Sequence, residues 1–106
     1  MTKVIIEPGI CNFTAVVTAD SEDGQEVTIR VTSGCKAVSG MMEALGESFD
    51  AFGLCMNRPG QGPLFDYAGE HFPAHTGCPV IVGITKCVEA ECGLALKHDA
   101  SIRFVE

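Results

Sequence analysis

The chain carries six cysteines and three histidines among 106 residues, and where they stand bears more on its chemistry than how many there are. Cys35 and Cys78 each precede the first turn of a predicted helix, in Ser33-Gly34-Cys35 and Thr76-Gly77-Cys78-Pro79. Unpaired backbone N–H groups and the positive end of the helix dipole stabilise a thiolate at such a position. Cys11 follows the Pro8-Gly9 turn, at a strand end. If both helices pack on one sheet with their N-termini at the same end, the three sulfurs converge on one edge, and three thiolates at one edge make a metal site.

Two residues compete for the fourth place. His75 lies three residues before Cys78, a spacing that suits a tight turn in which an imidazole and a thiolate share one metal. Cys55 lies in Gly53-Leu54-Cys55-Met56, a glycine-bearing stretch able to fold over the site and complete an all-sulfur set for zinc or an iron–sulfur cluster. A three-ligand site with an open position is the third arrangement. Cys87 and Cys92 fall on a predicted helix and read as core, where a free Cys behaves as a small hydrophobe. Pro73 breaks the register that would put His71 and His75 on one face, and His98, beside Asp99, reads as solvated.

Other chemical signals are faint. Gly60-Gln61-Gly62 lacks the Lys-Ser or Lys-Thr and the following helix of a phosphate loop, and no dinucleotide fingerprint appears. Met41-Met42 reads as core filling and the acidic run Ser21 to Glu26 as a solvated turn rather than a calcium loop. No catalytic constellation emerges, so the chain reads as a binding protein rather than an enzyme.

The elements that must position these residues follow from patterning. The length and a 46% hydrophobic content suit a single domain over residues 1–106 with one core. Val4 to Glu7 reads as a strand closed by Pro8-Gly9. Phe13 to Ala19 puts Phe13, Ala15, Val17 and Ala19 on one face, and Val27 to Thr32 puts Val27, Ile29 and Val31 inward, giving a hairpin with one wet face. Val38, Met41, Met42 and Leu45 recur at helical spacing up to Gly46. Glu47 to Pro63 reads as a long loop with at most a turn of helix around Phe49 and Phe52. Leu64 to His71 reads as a short helix ended by Pro73, and Pro79 opens another that faces Ile81, Ile84, Cys87 and Val88 to the core. Ser101 to Val105 reads as a closing strand. The expected fold is α+β: an antiparallel sheet of about four strands, three N-terminal and one C-terminal, with two to three helices on one face.

Charge and hydropathy narrow the partners. The net charge of −7 includes no basic block, which argues against nucleic acid. No apolar run reaches signal-peptide or membrane length, so the expectation is a soluble cytoplasmic protein with no membrane partner. In a reducing cytosol six cysteines favour metal binding or thiol chemistry over disulfides. A protein partner or a homodimer fits what remains.

Ser33-Gly34-Cys35 with its helix, Cys55, and Thr76-Gly77-Cys78-Pro79 opening a second helix resemble the small TSCPD domain family over roughly residues 27–94. That family places Gly-Gly-Cys before one helix and Thr-Ser-Cys-Pro-Asp before the next; here Gly77 stands for the Ser and Val80 for the Asp. The resemblance implies a cysteine-based metal or cluster domain. Cys35, Cys55, and Cys78 with His75 are also similar in placement to the ligands of IscU-type iron–sulfur scaffolds, whose adjacent His-Cys pair is here spread over two intervening residues. Pro8-Gly9-Ile10-Cys11 resembles small uncharacterised proteins of anaerobic microbes. The first expectation is therefore a metal or iron–sulfur module, a carrier, a scaffold or simply self-stabilising, that uses Cys11, Cys35, Cys78 and either Cys55 or His75. The alternative is a thiol redox or transfer protein in which Cys35 or Cys78 reacts and Cys55 or Cys11 resolves it. A metal-free oligomeric interaction domain is the third reading.

Overall fold

The computed structural model describes all residues 1–106. In chain order the elements are β1 (Thr2–Ile6), β2 (Ala15–Asp20), β3 (Glu26–Ser33), α1 (Lys36–Leu45), β4 (Ser48–Asp50), α2 (Ala51–Cys55), α3 (Pro63–His71) and α4 (Val80–Glu91). The four strands form one antiparallel sheet in the order β1-β2-β3-β4, the α+β class that the patterning implies.

Alternation explains which face is covered. Ala15, Val17 and Ala19 of β2 and Val27 and Ile29 of β3 are fully buried, while Thr28, Arg30 and Thr32 point to water. The helices cover that one apolar face. α1 lays Val38 and Met41 on it, and α4 lays Val80, Ile81, Ile84, Cys87 and Val88. Small residues set the approach of α4, because a side chain at Gly83 would collide with the end of the Ile6 side chain on β1. Phe13 departs from the expected inward face and stays half-exposed. Its ring instead lies over the backbone of Gly34, where an added Cβ would meet the ring at 3.1 Å.

The β2–β3 turn is held by its own polar groups. The Asp23 carboxylate accepts from the backbone N–H groups of Gln25 (2.9 Å) and Glu26 (3.0 Å), which hold its carboxyl below the usual value. Gly24 adopts φ +74°, a conformation glycine reaches without Cβ strain, and its N–H donates to Ser21 Oγ at 2.9 Å.

Three expectations are corrected. The fourth strand is Ser48–Asp50, not Ser101–Val105: Phe49 pairs with Val27, and the Ala51 N–H extends the contact to the Gln25 carbonyl at 2.7 Å. Residues 101–105 form no strand, and Ile102, Phe104 and Val105 stand free. The stretch read as a long loop therefore supplies both a strand and α2, which is capped by Asp50 accepting from the Gly53 N–H at 2.9 Å. With α2 counted, the helices number four rather than two to three.

Candidate thiol site

Register places the two helix starts and the β1–β2 loop at one end of the sheet. Ile6, the last residue of β1, pairs with Ala15, and Ala15 pairs with Ser33, the last residue of β3. Cys35 follows Ser33 by two residues and caps α1. The first turn of α4 comes to the same end, because Gly83 lies against Ile6, so Cys78 arrives there too. The loop from Glu7 to Thr14 that joins β1 to β2 carries Cys11 at this end as well. Its last residues are tied to the Cys35 segment by the Phe13 ring over Gly34 and by Ser33 Oγ donating to the Phe13 carbonyl at 3.4 Å.

Local bonds fix Cys35. Its N–H donates to Ser33 Oγ at 3.1 Å, and its carbonyl accepts from the Ser39 N–H and hydroxyl, both at 3.0 Å. Its thiol makes no capping bond, and the side chain packs half-buried against the core. Cys78 closes a tight turn in which its N–H donates to the His75 carbonyl at 3.4 Å. His75 and Cys78 thus bracket one turn, as their spacing implies, with His75 exposed and Cys78 half-buried. Pro79 caps α4, its carbonyl accepting from the Gly83 N–H at 2.9 Å.

Sharing an end of the sheet is not sharing a ligand sphere. No three Cys, His, Asp or Glu side chains are gathered into a set that could hold a metal ion. The two helix starts rise from different parts of the sheet, α4 covering β1 and β2 and α1 covering β3. Thiolates around one zinc ion lie only about 3.8 Å from each other. Cys11 sits on a loop whose residues other than Pro8 are all exposed from Glu7 to Thr14.

The other three cysteines are a separate group along α4. Cys87 is fully buried, with its thiol donating to the carbonyls of Thr2 (3.4 Å) and Val17 (3.8 Å), and burial pushes its pKa up. Cys55 does not fold over the sheet end. Its thiol donates to the Thr85 carbonyl at 3.9 Å, five residues into α4, and burial, with Glu89 and Cys92 nearby, pushes it up to about 11. Cys92, at the end of α4, is likewise raised by burial. Of the two contenders for a fourth place, His75 lies in the turn that leads to Cys78, whereas Cys55 lies beside Thr85 on α4. His71 stacks on Tyr67 with ring centroids 4.3 Å apart, and His98 is exposed beside Asp99.

One functional anchor escapes sequence reading. Glu91, in the last turn of α4, accepts from the Thr2 hydroxyl at 2.7 Å and from the Ser21 N–H at 3.0 Å. These bonds, that of Thr2 foremost, hold its carboxyl below the usual value. The signal was there to use: an acid at a helix C-terminus opposes the dipole and calls for a compensating partner.

Fold and site together define a small α+β domain with Cys11, Cys35 and Cys78 at one end of its sheet and Cys55, Cys87 and Cys92 along its last helix. The chain belongs to a family described as "Family of unknown function (DUF6951)", whose model matches residues 2–104. No curated protein and no solved structure matches it. No helix is long and apolar enough to cross a membrane.

Proposed function

We propose that the sheet end carrying Cys11, Cys35 and Cys78 is a thiolate site that takes up a soft metal ion, zinc or the iron of an iron–sulfur cluster, with His75 as the fourth ligand. One observation carries the reading: Cys11, Cys35 and Cys78 come to one end of the sheet, in the β1–β2 loop and ahead of α1 and α4. The placement of Cys35 and Cys78 before two helices, which resembles TSCPD domains, supports it. Because the ligands are not gathered, uptake requires the exposed loop bearing Cys11 and the His75–Cys78 turn to draw toward Cys35. Ligand gathering makes binding and local ordering one event, which suits a carrier or scaffold that must also release its cargo.

Protein purified without oxygen is expected to contain about one equivalent of zinc per chain by elemental analysis, or, for a cluster, about two to four irons with a visible absorption band. Cys35→Ser and Cys78→Ser should each remove the metal, whereas Cys87→Ser should not. A metal-free protein that also fails to take up added zinc would overturn the proposal. That no three ligands are gathered favours a second reading, in which Cys35 or Cys78 acts as a redox or transfer thiol; rapid alkylation in a metal-free protein would support it.

A further inference from the structure

Two features of the molecule lack partners and fit one another. The first is the segment Ser101–Val105, whose β-branched and aromatic residues suit a strand but which packs on nothing. Ile102 is 86% exposed, Phe104 94% and Val105 93%. The family match runs through residue 104, so the segment belongs to the shared domain rather than to an appended tail. The second feature is the outer edge of β1. The other edge strand, β4, is blunted by its three-residue length, by Glu47 just before it and by its own last residue, Asp50, devices that discourage pairing. β1 has five residues, Ile5 is 64% exposed, and Val4 is only half-buried between the buried Thr2 and Ile6. The apolar layer is therefore left open beside Val4.

We propose that Ser101–Val105 pairs as a fifth strand with the outer edge of β1 in a second copy of the chain, the two copies exchanging tails. Alternation then lays Ile102 and Phe104 beside Val4, extending the layer covered by α4, and turns Arg103 toward the open face that carries Lys3 and Ile5. The lengths agree at five residues each. Within one chain the segment lies off the sheet while that same edge stays open, and a two-fold exchange fills both edges through one self-complementary contact. The contact uses neither the cysteine loop nor the helix N-termini, so it stands apart from the metal reading.

Under reductant, light scattering after gel filtration is expected to give the dimer mass, and the double variant Ile102→Asp/Phe104→Asp the monomer mass with unchanged circular dichroism. An isotope-labelled copy of that variant, whose own tail cannot dock, reads the exchange directly. Adding unlabelled wild-type chain should slow hydrogen exchange by roughly tenfold or more at those labelled Thr2–Ile6 amides that point away from β2. A monomer at every concentration, a dimer that survives the double substitution, or β1 amides protected in a wild-type monomer by its own tail would each overturn the proposal.

Discussion

At the scale of single residues, five of the six cysteines differ in environment in a way that predicts their reactivity. Cys11, Cys35 and Cys78 are exposed or half-buried, whereas Cys87 is sealed in the core and Cys55 is held protonated by its surroundings. Brief treatment with iodoacetamide at neutral pH, read by peptide mass spectrometry, should label the first three and spare Cys87, with Cys55 labelled more slowly. Preferential labelling of Cys55 would contradict this. The same displacement has a sign for stability. An unfolded Cys titrates near 9.0 and folded Cys55 near 11, so the folded chain keeps its proton longer. Stability from this group is full below about pH 9 and falls as pH rises toward about 11. Denaturant melts across that window should show a decline that Cys55→Ala reduces.

At the scale of elements, the site depends on how α4 is pinned at its two ends. Glu91 ties its last turn to Thr2 and to the β2–β3 turn, and Glu91→Ala should cost about 1–3 kcal/mol by leaving those donors unpaired. Its folded carboxyl lies below the ordinary 4.5, so its contribution is present above that pH and is lost as pH falls through the folded value. Chemical denaturation of the variant should therefore show less loss of stability on acidification than the parent. At the other end, Gly83→Ala gains roughly 1 kcal/mol of helix propensity but drives a methyl into Ile6, and overpacking typically costs about 1–3 kcal/mol. The net expectation is a lower Tm; a raised one would show that Ile6 turns aside without strain. Much of this scaffold was legible in the chain. The hairpin alternation, the stop at Gly46 and the core positions of α4 all follow from periodicity and turn residues. Ser48–Asp50 was not, because a three-residue strand with one buried side chain, Phe49, has no period to detect; pairing with Val27 decides it. Cys55 was illegible as well, since its place depends on which element α2 folds against, and that element is α4.

At the scale of the whole molecule, one sheet face and its helices form the core, and the ends of the strands are left for chemistry. Helix N-termini and the β1–β2 loop gather at one end, so their thiols share a surface although they are far apart in sequence. Local pattern could place each cysteine at a junction, but only strand register could show that the junctions coincide. The central claim is that this end, and not the flank of α4, gathers a metal. Anaerobic titration with cobalt(II), followed by the thiolate-to-metal charge-transfer band, tests it most directly. The band should saturate near one equivalent, be lost in Cys35→Ser and Cys78→Ser, and persist in Cys55→Ser and Cys92→Ser. No band, or one that depends on Cys55 and Cys92 instead, would contradict the account.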